Sequence, residues 1–337
     1  MLRTLPVEEW LAMDPPIIDV RSPGEFERGH IPGATNVPLF TNEERAIVGT
    51  LYKQKGRDAA LLEGLRLVGP KLAWLVEEAQ RLAPTGRIRV HCWRGGERSG
   101  SVGWLLDKAG FVEVLTLKRG YKGFRTHAQA TLKSPFILKV LGGYTGSGKT
   151  GILKHLETCG AQVVDLEALA DHKGSAFGAL GQLPQPTTEH FENRLWSALA
   201  ALDPLRPIWV EDESAMIGRV NVPGTFFAAM RAAPLYFVEV SIEERAKRLV
   251  QHYGHFPKEQ LAEAIQRIAK RMGPQHCKNA LLALDEGDLE QVALLALRYY
   301  DKAYLHGASL RDPMRVVKLA ATANDPEALA RQLISLP

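Results

Sequence analysis

The sequence predicts an α/β protein of two domains in tandem. Two passages carry that reading, residues 87–109 and 136–156. In each, a short apolar strand opens into a glycine-rich loop and then into a helical segment. Between them, residues 127–135 are polar with few apolar anchors, and 337 residues exceed what one hydrophobic core usually serves. The expected partition is a first domain over 1–128, a linker over 129–135 and a second domain over 136–337 with a helical C-terminal portion.

Residues 16–20 are the first strand candidate. They run into Ser22-Pro23-Gly24-Glu25, where Ser22 caps a helix, Pro23 takes its first turn and Glu25 follows. The stretch from 39 to 80 reads as scaffold, with a packed helix interrupted or started near Gly69-Pro70. Residues 87–90 form a buried strand. Val102, Leu105, Leu106 and Ala109 share one face of the helix after it.

Cys92 therefore sits in a tight loop, Cys92-Trp93-Arg94-Gly95-Gly96-Glu97-Arg98, that leads to a helix N-terminus. Backbone N–H groups, the helix dipole and the charges of Arg94 and Arg98 favour a reactive thiolate over a merely buried thiol. A strand over 112–117 follows, then a basic turn with Lys118, Arg119, Lys122 and Arg125. Such a run is usually a solvated face. Its place beside the cysteine loop and the interleaved Tyr121 and Phe124 make RNA contact the functional alternative, and Trp93 is read equally as a packing residue or as one that stacks on a base.

The second domain starts with a strand over 136–141. Residues 143–150, Gly143-Tyr144-Thr145-Gly146-Ser147-Gly148-Lys149-Thr150, satisfy G-x-x-x-x-G-K-[ST] between that strand and a helix. Gly143, Gly146 and Gly148 let the backbone curl, and the N–H groups from Thr145 to Thr150 cradle a diphosphate. Lys149 neutralises it, and the Thr150 hydroxyl is suited to Mg²⁺. A strand over 207–213 ends in Glu211, Asp212 and Glu213, where a P-loop protein keeps its metal-side carboxylate; capping or loop charge explains these acids equally well. Further strands are expected over 162–165, 235–240 and 315–319. Residues 257–305 read as helical, with Tyr299, Tyr300 and Tyr304 as packing residues. Basic clusters at Arg245, Lys247 and Arg248, and at Arg267, Lys270, Arg271 and Lys278, are solvated helix faces or a phosphate footprint.

Composition narrows the classes. Hydrophobic residues make up 45% and charged residues 24%, as in an ordinary globular chain. A net charge of +4 and a pI near 8.9 permit a polyanionic partner without requiring one. Three cysteines without CxxC spacing argue against a disulfide framework and a zinc site, and for a reducing compartment. With no apolar leader and no apolar run of spanning length, the expectation is a cytoplasmic protein without a membrane partner. The sequence fixes no firm metal site and no oligomeric state.

Residues 17–39, including Gly29-His30-Ile31-Pro32-Gly33-Ala34, resemble the N-terminal signature of rhodanese domains, with Cys92 where that family keeps its cysteine loop. The resemblance covers about residues 1–128 and implies a structural role for Asp19 and Arg21. The Cys92-x5-Arg98 loop is longer than in common sulfurtransferases and resembles cell-cycle phosphatases of the same fold. Both a chalcogen carrier and a phosphate-ester cleaving thiolate stay open.

A rhodanese-like domain ahead of a P-loop domain is similar to the bacterial tRNA 2-selenouridine synthase family. Cys92-Trp93-Arg94-Gly95-Gly96, Asp171-His172-Lys173-Gly174-Ser175-Ala176-Phe177-Gly178, Phe191-Glu192-Asn193-Arg194-Leu195 and Ile217-Gly218-Arg219-Val220-Asn221-Val222-Pro223 extend the match to nearly the whole chain. Lys173, where arginine is expected, is a conservative departure. The resemblance implies conversion of 2-thiouridine to 2-selenouridine at wobble position 34, in the anticodon of tRNAs reading Lys, Glu and Gln codons. Geranyl diphosphate first alkylates the sulfur, and selenophosphate then supplies selenium. Both are co-substrates, no cofactor is tightly bound, and Mg²⁺ is an option. In that reading Cys92 receives selenium, Arg94 and Arg98 hold the selenophosphate oxygens, and Lys149 stabilises departing diphosphate. Ala176, Phe177, Phe226 and Phe227 are candidate walls for the geranyl chain. Two competing readings are a P-loop kinase or nucleotidase with a rhodanese- or phosphatase-like regulatory module, and a non-enzymatic tRNA-binding or sulfur-relay adaptor.

Overall fold

The computed structural model describes residues 1–309, 311–320 and 325–336, with backbone alone for 303–309. The side chain of Tyr304 thus lies outside the described residues. The chain divides into two compact units, one of residues 1–131 with 192–196, the other of 132–191 with 197–337.

The first unit is built on β1 (Leu2–Leu5), β2 (Ile17–Asp19), β3 (Ala34–Asn36), β4 (Arg87–His91) and β5 (Glu113–Leu117). They form one sheet in the order β1-β5-β4-β2-β3, every pair parallel. Ile88 and Val90 of the central β4 are fully buried, as expected of a strand covered on both faces. The Ser22–Glu25 capping box is present at the helix Pro23–Arg28. The stretch read as scaffold holds two helices in succession, Asn42–Lys55 and Arg57–Val68. A 3₁₀ turn at Gly69–Lys71 then separates Arg57–Val68 from Leu72–Leu82, where Gly69-Pro70 predicted a break.

The sequence reading missed the short β1 and β3. It also read residues 118–125 as a turn, whereas a helix spans Gly120–Thr131 and continues into the expected linker. Tyr121, Phe124 and Ala128 are its buried face, a narrow stripe easily overlooked among polar neighbours.

The second unit has β6 (Leu138–Gly143), β7 (Gln162–Val164), β8 (Ile208–Glu211), a two-residue hairpin of β9 (Met216–Ile217) and β10 (Val220–Asn221), β11 (Leu235–Glu239) and β12 (Val316–Ala320). Its main sheet is again parallel, in the order β12-β11-β6-β8-β7. Ser241 accepts from the Glu244 N–H at the start of Ile242–Tyr253. Helices Lys258–Arg267, Ala269–Met272, Pro274–Glu286 and Leu289–Ser309 supply the helical portion. No helix among the described residues is long and apolar enough to cross a membrane. Each unit thus places a central strand, β4 or β6, directly before its glycine-rich loop, at the carboxyl edge where parallel sheets hold ligands.

Candidate active sites: a cysteine loop and a phosphate loop

Cys92 follows β4 directly and is buried, with Sγ 3.2 Å from the Ser99 hydroxyl in the first turn of the helix Glu97–Lys108. The loop depends on two glycines that interlock. Gly95 has φ +66°, and a Cβ there would lie 2.4 Å from the Leu117 carbonyl oxygen and 2.7 Å from the Gly120 nitrogen. Gly120 has φ +55°, and its Cβ would lie 2.3 Å from the Cys92 carbonyl oxygen. Between them the N–H groups of Tyr121 and Lys122 donate to the carbonyls of Cys92 and Trp93 at 2.8 and 2.9 Å. The turn after β5 is therefore the loop's support.

The two loop arginines differ. Arg94 is exposed. Arg98 makes a two-pronged pair with Glu25, Nη1 to Oε2 at 2.6 Å and Nη2 to Oε1 at 3.2 Å, so its charge is largely offset. Trp93 is half-buried, its ring 5.6 Å from that of Tyr121 and 5.9 Å from the Arg21 guanidinium. Arg21 is fully buried, bound to Asp19 by Nη2 to Oδ2 at 2.6 Å and to the Gly29 carbonyl at 2.7 Å, and it lies 3.8 Å over Tyr121. This pair underpins the loop. Burial opposes the Asp19 charge, but His91 and Arg21 outweigh it and hold the carboxyl below its usual value. Burial pushes the neighbouring His91 down to about 4. Lys118, Arg119 and Lys122 are exposed, whereas Arg125 is engaged by Asn193 and Glu192.

In the second unit, Lys149 opens the helix Lys149–Thr158 and its Nζ donates to the Gly143 carbonyl at 3.1 Å. Gly146 and Gly148 have φ of +82° and +84°. Thr145, Gly146, Gly148, Lys149 and Thr150 line a cavity of about 480 Å³. Gly143 and Ser147 are buried behind them, and the Gly143 Cβ position lies 2.6 Å from the Ser147 hydroxyl. Lys173, Arg248 and Arg271 also line the cavity, and a Cβ on Gly148 would sit 1.7 Å from Arg248 Nη1. Four cations, Lys149, Lys173, Arg248 and Arg271, thus line one cavity. Arg245, in the same basic cluster as Arg248, is instead buried and paired to Asp301 at 2.8 and 2.9 Å.

Glu211 and Asp212, read as metal-side or structural acids, are both engaged by the protein's own groups. Glu211 is fully buried, accepts the Leu166 N–H at 2.9 Å, and is pushed well above its usual value by burial and by Asp165 and Glu167. Asp212 is bound by Arg311 and lies 3.6 Å from Arg231. Neither lines the phosphate cavity. Glu213 does, with Glu167. Burial first, and Glu167 second, raise Glu213 to about 8. Among the described residues no group of three or more His, Cys, Asp or Glu forms a metal site.

A second cavity, of about 50 Å³ and nearly all apolar, shares Thr145, Ser175, Leu249, Tyr253 and Tyr300 with the phosphate cavity. Of the four candidate apolar walls, Phe177 lines this slot, Phe226 packs in the core against Phe136, ring centroids 5.9 Å apart, and Ala176 and Phe227 line neither cavity. The sequence reading missed Arg248, Lys173 and Arg271 as cavity residues. The signals were there, in the basic clusters and in the 171–178 stretch, but periodicity alone could not aim them.

Two family models match this chain, the rhodanese-like domain over residues 6–127 and the tRNA 2-selenouridine synthase AAA domain over residues 136–322. The chain belongs to the tRNA 2-selenouridine synthase family. It is 36% identical to the tRNA 2-selenouridine synthase of Aeromonas salmonicida over 340 residues, covering 87% of each chain. With that of Shewanella halifaxensis it shares 36% over 331 residues, 86% of this chain and 88% of the relative. With that of Bordetella petrii it shares 33% over 383 residues, 98% of both. The two family matches bracket the two loops, Cys92 within the first and Lys149 within the second.

Proposed function

We propose that this protein is an enzyme that replaces sulfur by selenium at C2 of the wobble uridine 34 of tRNAs for Lys, Glu and Gln, through an S-geranyl intermediate. One observation supports the geranyl step: the cationic cavity and a small apolar slot share five lining residues. An allylic diphosphate has that division, a charged head and a hydrocarbon tail. The ten-carbon chain takes the slot and the adjoining apolar wall.

In the first step the thiocarbonyl sulfur attacks C1 of geranyl diphosphate, the C–O bond breaks, and the N3 proton leaves the base. Lys149, Arg248 and the loop N–H groups stabilise the departing diphosphate. The second step takes place at Cys92, with Arg94 nearest to hand for selenophosphate oxygens. Selenium bonds C2, geranylthiolate leaves, and phosphorus passes to water as phosphate, so no oxidant or reductant is consumed. Selenium in selenophosphate is at the selenide level, so a Cys92–selenium bond would form only with a two-electron oxidant that this scheme does not supply; the mass of the intact protein is therefore expected to be unchanged after incubation with selenophosphate.

The test is mass spectrometry of nucleosides from a 2-thiouridine tRNA incubated with the protein, geranyl diphosphate and selenophosphate. Wild type yields selenouridine, Cys92→Ala accumulates geranylthiouridine, and Lys149→Ala leaves thiouridine. An unaltered nucleoside profile with folded, tRNA-binding wild type sinks the proposal; ATP turnover without RNA would then favour a kinase.

A further inference from the structure

The first unit contains an apolar cavity that the chemistry above leaves unused. It measures about 170 Å³ and lies between the helices Asn42–Lys55 and Arg57–Val68 and the helix that follows the cysteine loop. Phe40, Val48, Tyr52, Leu61, Leu65 and Val68 line one side, and Arg98 and Ser101 line the other. Phe40 and Val68 belong to the same hydrophobic cluster as Cys92. A surface ion pair, Arg57 Nη2 to Glu97 Oε1 at 2.6 Å, ties the start of the second helix to the loop. In volume the cavity is close to the ~150 Å³ apolar cavities that admit small hydrocarbons. Its rim is left open by side chains that a core would normally cover: Tyr52 is 60% exposed, Leu61 40% and Leu65 61%.

We infer that this cavity holds the alkyl chain of the S-alkylated base during the selenium step, and releases it as the alkyl thiol. The inference rests on the two-step reading above. An S-geranyl base must present C2 to the cysteine loop, and its ten carbons then need a dry surface within reach of that loop. Alkylation has by then released the diphosphate, so the cations that hold the chain's charged head beside the slot of the second unit no longer act on it. Here the polar edge, Arg98 and Ser101, belongs to the helix that begins at the loop, and the apolar edge runs outward along Leu61 and Leu65. The chain seats with its sulfur end toward the loop and its far end at the rim.

The experiment uses the full-length protein, selenophosphate, and two anticodon stem-loop RNAs, one bearing S-geranyl-2-thiouridine and one S-methyl-2-thiouridine. The two leaving thiols differ little in intrinsic leaving ability, so the ratio of kcat/KM values reads the chain contact. Wild type is expected to favour the geranyl RNA by at least about tenfold. Leu61→Glu and Leu65→Glu, both at partly exposed positions, are expected to bring that ratio close to one. Equal rates on both RNAs with wild type overturn the inference. So does an equal fall on both RNAs in the variants, or a change of oligomeric state with the ratio intact, which assigns the patch to contact with a second copy. A wild type that selenates neither RNA overturns the two-step reading itself.

Discussion

Gly95→Ala and Gly96→Ala, neighbours in the cysteine loop, are expected to differ sharply. At Gly95 the backbone is left-handed, which for alanine costs about 1–2 kcal/mol. The added Cβ also meets only backbone atoms, the Leu117 oxygen at 2.4 Å and the Gly120 and Arg119 nitrogens at 2.7 and 2.8 Å, so no rotamer change relieves it. The loop must move off the turn, giving up the two hydrogen bonds from Tyr121 and Lys122, each worth about 1 kcal/mol. Against this stands a gain of about 0.4–1 kcal/mol from the stiffer unfolded chain. The net loss is about 3 kcal/mol. Gly96, at φ −112° with nothing within 4 Å of its Cβ position, should lose no more than about 0.5 kcal/mol. Urea unfolding followed by tryptophan fluorescence reads the difference as a drop of roughly 1–3 M in the first unit's midpoint for Gly95→Ala alone. Matching midpoints for the two variants would refute the interlock of the loop with the turn after β5.

Two further outcomes concern pH. His91, buried and held at about 4, binds its proton more readily when unfolded, so the first unit's stability is complete above about pH 6.5 and declines as pH falls toward 4, by roughly 3 kcal/mol; His91→Gln should flatten that limb of a stability–pH curve, and an unchanged slope counts against it. Glu213, raised to about 8, acts oppositely: its contribution is complete below about pH 4.5 and is lost as pH rises through 8. The second unit's Tm should therefore fall over that range in wild type and vary less in Glu213→Gln, with parallel profiles refuting the assignment.

Much of this was readable from residues alone. The strands around both loops follow from short β-branched runs, and the two loops follow from glycine spacing. Gly69-Pro70 marked a break because proline cannot continue a helix. What escaped the sequence was pairing across distance. Nothing local says that Glu25, already a helix-capping residue, also clamps Arg98, or that Asp212 is tied to Arg311 while Glu213 reaches the phosphate cavity. The basic cluster at 245–248 shows the same limit. One turn of helix separates Arg245, an internal brace, from Arg248, a cavity cation, and charge counting assigns both alike.

The Glu25 clamp changes how an anion reaches the cysteine. With Arg98 occupied, the attraction comes from Arg94, Lys118, Arg119 and Lys122, all on the surface. Fields from surface charges decay within about 8 Å at physiological salt. On the proposed reading of a selenophosphate site, recruitment of the substrate should therefore slow steeply as salt rises, while events after docking, at the buried thiol and its rigid support, should hardly respond. In that reading the loop separates capture from chemistry, and ionic strength acts on the first alone.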